Sequence, residues 1–315
     1  MKPNRKIAVV LNPRSGGGKA GRRRKEIEHR LRGRLGAVTV RLTDAPGAGV
    51  ELTRALLREG FDLIIAAGGD GTANEVANGF LEQDEPVNPE ACLGILPFGT
   101  GGDFRRTLGV PPNLDSAAEI LAEGKTRAID VGKATFDAHG GGPMARYFIN
   151  LLSFGIGGDV AARAKNPARI LGGRAAFLWA TVKSFIIYSG KEIRMTLDGK
   201  DDVQAFVTDV AVGNGRFYGG GMCVCPTALL DDGMFEITVI DYMNCLQFIR
   251  EIRPLYSGNI YRRPQAHHWR ARQLRAEADD ETKIEIDGEP LGRLPLEVTV
   301  LPARLKVIAP NRSSS

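Results

Sequence analysis

The chain has 315 residues, of which 43% are hydrophobic, 7% aromatic and 25% charged, with a formal net charge of +5. This make-up excludes a disordered or collagen-like chain, and the length predicts about two domains, each large enough to bury its own core. Many of the 39 glycines cluster at 16–18, 68–71, 99–102, 155–158 and 213–221, which predicts tight loops at defined places.

In chain order, Ile7–Leu11 reads as a buried strand, Lys19–Leu35 as a charged helix, Val38–Leu42 as a strand and Val50–Glu59 as a helix. Leu63–Ala67 follows as a buried strand, Thr72–Leu81 as a helix, Cys92–Leu96 as a strand and Ser116–Glu123 as a helix. Alternation of this kind predicts an open α/β domain over 1–126, a parallel sheet with helices on both faces. Beyond it the pattern changes to strands rich in Val, Ile, Phe and Thr: Tyr147–Ser153, Ile193–Leu197, Val203–Val212, Phe235–Ile240, Thr282–Ile286 and Leu296–Leu301. Residues 127–304 are therefore expected to form a mainly antiparallel β-sandwich, with helical interludes near 158–189 and 245–256 and a hairpin loop at His139–Pro143. The last apolar strand, Leu305–Ala309, is free to rejoin either sheet, and Arg312–Ser315 reads as frayed.

Cys92, Cys223, Cys225 and Cys245 form no C-x-x-C pair and lack matching histidines, so they read as small buried residues of a reduced compartment rather than zinc ligands. No segment reads as a secretory signal, and the apolar stretch Ala175–Tyr188 is shorter than the roughly 20 residues that span a bilayer. A cytoplasmic protein is expected. The first 33 residues are strongly basic, which suits a nucleotide, nucleic acid, an anionic membrane or simply a solvated helix face.

Strand Leu63–Ala67 runs into Gly68-Gly69-Asp70-Gly71-Thr72 and then Ala73-Asn74-Glu75-Val76. A strand, a glycine turn and a helix start put bare N–H groups at the carboxyl edge of a parallel sheet, where phosphate suits the positive helix end. Asp70 could hold Mg²⁺ against a polyphosphate, while Thr72 as N-cap with Glu75 would form a capping box. Two further loops should reach the same crevice: Pro97-Phe98-Gly99-Thr100-Gly101-Gly102-Asp103-Phe104 and Asn12-Pro13-Arg14-Ser15-Gly16-Gly17-Gly18-Lys19. The second of these meets a G-x-G-x-x-G pattern weakly, and it is not a Walker A loop because Lys19 precedes Ala20. Asp287-Gly288 before Glu289 reads as a type I′ hairpin turn. Adjacent His267 and His268 would point to opposite faces of a strand, which disfavours a joint metal or nucleic-acid role.

Together, Asn12-Pro13-x-Ser15-Gly16, Gly68-Gly69-Asp70-Gly71-Thr72-x-Asn74-Glu75-Val76, Pro97-x-Gly99-Thr100-x-x-Asp103-Phe104, Gly155-x-Gly157-Gly158-Asp159 and Asp287-Gly288-Glu289 resemble the diacylglycerol kinase catalytic family in its short form. The resemblance spans nearly the whole chain, with one departure: Gly102 stands where the family usually has Asn. It implies ATP- and Mg²⁺-dependent phosphorylation of a lipid hydroxyl, with diacylglycerol converted to phosphatidic acid. Nucleotide-binding positions would be Asn12, Thr43, Gly68, Gly69, Asp70, Gly71, Thr72, Ala73, Asn74 and Thr100. Asp70 would organise the catalytic Mg²⁺, and Glu289 would be the general base. A second, structural Mg²⁺ would take the Asp232 side chain and the carbonyls of Leu229 and Met234. Peripheral association with an anionic membrane is expected, with the aromatic and basic interlude Lys165–Tyr188 as a candidate contact or as plain core. Nucleic acid is not an expected partner, and a homodimer is an option. Rival readings are a sphingoid-base kinase, an NAD kinase sharing the glycine loops, and a silent nucleotide- or lipid-binding regulator that would not need Glu289.

Overall fold

The computed structural model describes residues 5–99, 101–164 and 188–310; Thr100, most of the interlude 165–188 and the segment 311–315 lie outside them, with the expectations placed there. The chain divides into two compact units, one of the described residues up to Asp130 together with those from Pro302, the other of Val131–Leu301.

In the first unit the strands are β1 (Ile7–Leu11), β2 (Val38–Leu42), β3 (Leu63–Gly68) and β6 (Cys92–Pro97), β4 (Leu81–Glu82) and β5 (Glu85–Pro86) forming a separate small hairpin. They pair in parallel in the order β2-β1-β3-β6, so every carboxyl end lies on one edge. β1 and β3 are buried along their whole length, as strands covered on both faces must be, and this is why they read as unbroken apolar runs. Helix α2 (Arg24–Leu35) packs on α6 (Leu114–Glu123), and α3 (Ala48–Arg58) on α4 (Asp70–Gly79). The expected single basic helix is two, α1 (Ser15–Arg22) and α2, because Arg23 between them is non-helical and Gly16, Gly17 and Gly18 all have left-handed φ.

A short helix not expected from sequence, α5 (Asp103–Leu108), follows β6. β7 (Thr126–Ala138) is one continuous strand, and the boundary between units falls within it rather than at 126. The long strand β18 (Glu289–Ile308) sends its last residues back to the first sheet, where Val307 pairs in parallel with Leu93.

The strand pairings of the second unit that follow are all antiparallel. β8 (Pro143–Phe148) pairs with β7 through a turn at 139–142, as expected; β9 (Leu151–Gly155), β11 (Asp201–Gly213) and β14 (Phe235–Asp241) run side by side. β10 (Lys191–Leu197) joins β11 to β16 (Gln273–Glu277), and β17 (Lys283–Ile286) lies between β9 and β18. Alternate residues of β18 from Pro290 to Val300 are buried, the period-two signature of a strand with one face on a core. That core holds stacked Phe148 and Phe235, with ring centroids 5.4 Å apart. The expected strand Tyr147–Ser153 is instead broken at Ile149–Asn150, where β8 turns into β9. His267 and His268 sit on β15 (Ala266–Ala271) and go separate ways: His267 bonds Asp241 at 3.0 Å, and His268 stacks on Tyr261.

Candidate functional site

Four strand ends lie side by side on one edge of the first unit's sheet. Asn12 follows β1, Thr43 follows β2, Gly68–Thr72 follows β3, and Phe98–Gly99 follows β6, all at the carboxyl edge. Cross-bonds tie the loops together. The Asn12 amide Nδ2 donates to Thr72 Oγ1 at 3.3 Å, and its backbone N–H to Ala67 at 3.1 Å. Thr43 donates its backbone N–H to Leu11 at 3.0 Å. A Cβ on Gly99 would lie 2.4 Å from the Cα of Gly69, and one on Gly16 would lie 2.6 Å from the Phe98 carbonyl oxygen. Only glycine permits such backbone contact, so the three glycine loops meet as their sequence pattern predicts.

Asp70 is the bolt between two of them. Its carboxylate accepts the N–H of Gly102 at 2.7 Å and of Phe104 at 3.1 Å. Gly102 has φ +67°, left-handed, which explains the departure from the family pattern: Asn and Gly are the residues that tolerate this conformation best. Beside the loops, Gly16, Lys19, Arg23, Phe98 and Gly99 line an open groove of about 450 Å³. Arg30 and Asp115, paired with each other, also line it, and Arg23 is bonded to Glu26, which leaves Lys19, among the described residues, as the cation that suits an anion there.

The capping-box expectation fails for a long-range reason. Helix α4 starts at Asp70 with Gly69 as N-cap, and the Glu75 carboxylate reaches instead to the start of α3, accepting the N–H of Gly47 at 2.8 Å and of Gly49 at 2.9 Å. Ala73 and Asn74, expected to bind nucleotide, are buried inside α4; Asn74 is 1% exposed and its carboxamide oxygen accepts from Asn78. Ala73 nonetheless lines a small pocket with Gly68, Gly69, Asp70, Gly99 and Gly102, beside the glycine loops.

In the second unit, Asp287 and Gly288 both have positive φ, +47° and +90°, and Ile286 pairs with Glu289: the two-residue type I′ turn that Asp-Gly predicts. The turn is braced from both sides. The Asp287 carboxylate accepts three N–H groups, from Ile149 at 2.9 Å, Asn150 at 3.1 Å and Leu151 at 2.8 Å, and so makes the corner that splits the expected strand. Glu285 accepts the Gly288 N–H at 2.6 Å and the Ser153 hydroxyl at 3.1 Å. Glu289 is held partly exposed at the first position of β18.

Sequence reasoning missed a buried acidic group behind this turn. Asp209 accepts the Gly157 N–H at 3.0 Å and the Tyr218 hydroxyl at 3.0 Å, and with Glu285 it borders one apolar cavity. Burial pushes Asp209 up to about 7 and Glu285 up to about 8, outweighing the hydrogen bonds that favour their charged forms. A carboxylate embedded in an apolar strand, as in Val207–Val212 and Ile284–Ile286, was the available signal. Nearby, Lys283 donates to Asp159 of the Gly155–Asp159 motif at 2.8 Å.

The two expected metal positions differ. Each Asp70 oxygen accepts one N–H and keeps a lone pair, which fits a phosphate-borne Mg²⁺ held by a single carboxylate, in part through water. Asp232 does not fit. One of its oxygens accepts the Met234 N–H and the other is taken by the Arg270 guanidinium, a cation standing where a metal would need the carboxylate. Among the described residues no cluster of three or more His, Cys, Asp or Glu is arranged to hold a metal ion. Of the expected donors Leu229, Asp232 and Met234, the Asp232 carboxylate is thus engaged by a backbone N–H and an arginine in this structure.

Comparison with known proteins agrees with this geometry. A model of the diacylglycerol kinase catalytic domain matches residues 6–134, and one described as the YegS C-terminal NAD kinase beta sandwich-like domain matches residues 150–309. The chain belongs to the diacylglycerol kinase catalytic family. A Pectobacterium atrosepticum relative named "Probable lipid kinase YegS-like" is 31% identical over 100% of this chain and 99% of its own. A Bacillus anthracis Sterne crystal structure assigned to the diacylglycerol kinases superposes with TM-score 0.76 at 26% identity, covering 97% of both chains. Yeast NADH kinase in complex with NADH shares the fold alone, with TM-score 0.55 at 12% identity over 98% of this chain and 85% of that one. Family membership carries the α/β plus β-sandwich architecture across the whole chain.

Proposed function

We propose that the protein is a lipid kinase that transfers the γ-phosphoryl group of ATP to a lipid hydroxyl, with diacylglycerol as the acceptor and phosphatidic acid as the product. The observation that carries this reading is the knot of three glycine loops bolted by Asp70 at the carboxyl edge of the first sheet, in a chain of this family. Asn12, Thr43, Gly68–Thr72 and the basic groove at Lys19 would bind the nucleotide through backbone N–H groups, hydroxyls and positive charge. Asp70 would hold the Mg²⁺, which when bound neutralises charge on the phosphates. Glu289 would accept the proton of the lipid hydroxyl, since an alcohol ionises too little near neutral pH to attack unaided. Its backbone is fixed by the Asp287 and Glu285 bonds, which is the support a general base needs.

The test is direct. Purified protein with labelled ATP and Mg²⁺ is given mixed micelles of diacylglycerol, of a sphingoid base, or NAD in separate reactions, with Glu289→Ala as control. Label in phosphatidic acid that disappears in the variant is the expected result. Label in the sphingoid or NAD reaction alone would replace the substrate, and nucleotide binding without transfer to any acceptor would favour the regulator.

A further inference from the structure

The helix Cys245–Ser257 in the second unit is capped reciprocally: Asn244 accepts the Gln247 N–H at 3.0 Å, and Gln247 accepts the Asn244 N–H at 2.8 Å. Its inward side is ordinary core. Phe248 and Leu255 are buried and, with Met243 and Ile260, wall the apolar cavity that ends at Asp209 and Glu285.

The outward side is unusual. Residues 246, 249, 253 and 256 recur at the helical period, and Leu246, Ile249 and Tyr256 are 61%, 51% and 45% exposed. Arg250 and Arg253 are exposed on the same side and pair with no carboxylate among the described residues. The helix has a single acid, Glu251, and it is turned inward, 6% exposed and bonded to Arg263 at 2.7 Å. At the N-terminal end, Phe206 and Tyr242 form a ring pair 5.1 Å apart and are also exposed, at 51% and 39%.

Large aliphatic and aromatic side chains on a lone helix face, interleaved with arginines and free of exposed acid, are the elements of an interfacial helix. The apolar groups enter the acyl boundary while the long arginine stems place their charges at anionic headgroups. We propose that this outward face, with the Phe206–Tyr242 pair, docks on an anionic lipid bilayer. The charge pattern selects that occupant over a neutral or basic partner. The inference deepens the lipid-kinase reading, and rests on it for the choice of a bilayer as the surface met. Its residues are other than those of the interlude 165–188 that the sequence offered as a membrane contact.

Flotation of the full chain with vesicles of phosphatidylcholine, with or without phosphatidylglycerol, in the absence of ATP tests it. The expected result is binding to the anionic vesicles only, weakened about tenfold or more in Leu246→Ser/Ile249→Ser and in Arg250→Gln/Arg253→Gln. All variants should keep the melting temperature and the phosphorylation of a water-soluble short-chain diacylglycerol. No binding by the unaltered chain, or equal binding by the variants, would overturn the proposal. So would a dimer of the unaltered chain that the apolar double variant dissociates, which would assign the face to a second copy. If vesicle binding behaves as expected while no lipid is phosphorylated, docking stands and the kinase reading fails.

Discussion

Asp70 and Gly102 are joined across two loops by a hydrogen bond of 2.7 Å, carboxylate to backbone N–H, and the second Asp70 oxygen takes the N–H of Phe104. A single side chain thus sets the spacing of the loops after β3 and β6. Asp70→Asn leaves one acceptor oxygen for two N–H donors and turns an NH₂ group towards the other. The expected loss is about 1–3 kcal/mol of stability. Phosphoryl transfer should fall by about a hundredfold or more, because misplacement of a catalytic loop is costly even without a direct contact. Thermal unfolding and initial rates on the same preparation check both. An active variant that melts like the parent would refute the bolt.

Gly102 offers a sharper comparison. At φ +67° a β-carbon is strained, and here it would also meet the Arg105 side chain 2.7 Å away. That neighbour is flexible, so backbone conformation should decide the outcome. Gly102→Ala should cost about 1 kcal/mol, while Gly102→Asn, the residue usual in the family, should cost less because Asn tolerates the left-handed region. The ranking Gly, then Asn, then Ala in melting temperature is the measurement. Equal losses would mean that the conformation is not what keeps glycine here.

What was legible in the sequence follows a physical division. β1, β3 and β6 are covered on both faces, so each is a continuous apolar run closed by a glycine or proline turn, and their loops were placeable from one-dimensional pattern alone. The type I′ turn at Asp287-Gly288 was legible for the same local reason. Illegible were the features made by partners distant in the chain. Glu75 caps a helix 26 residues earlier. Asp287 makes a corner 136 residues away. Arg270 claims Asp232 from 38 residues off. None of these pairings leaves a periodic trace; the first redirects a side chain whose local context suggested a capping box, and the third engages one to which the family resemblance gave a metal.

The Asp287-Gly288-Glu289 turn separates two roles that a simple loss of activity would merge. Asp287 is buried and accepts three N–H groups, so Asp287→Ala strands three buried donors. A loss on the order of 3–5 kcal/mol and a marked drop in melting temperature are expected. Glu289 lies at the partly exposed start of β18, and Glu289→Ala should leave the melting temperature within about 2 °C while cutting turnover at least a thousandfold. Calorimetry alongside saturating-substrate kinetics distinguishes them. If Glu289→Ala unfolds the protein as readily as Asp287→Ala, its role is structural and the assignment of the base falls.

Glu285 should make stability depend on pH in a direction opposite to that of a salt-bridged carboxylate. Burial pushes it up to about 8, and Asp209, across the same cavity, up to about 7. In the unfolded chain both return to ordinary carboxylate values near 4. Below that both states hold the protons, and these groups carry no penalty. Between about pH 4 and pH 8 the folded chain retains protons that the unfolded chain releases, so stability falls as pH rises through that window and levels off above it. Glu285→Gln keeps an acceptor oxygen for the Gly288 N–H and puts an NH₂ group opposite Ser153 Oγ, whose hydroxyl turns from donor to acceptor by rotating, yet cannot ionise. The variant should therefore match the parent near pH 4 and gain on it by several degrees of melting temperature at about pH 8.5. Melting curves of the two proteins between those limits decide it: curves that stay parallel would mean that Glu285 does not titrate in this window, and a variant that loses ground with pH would mean that its charged form stabilises the turn.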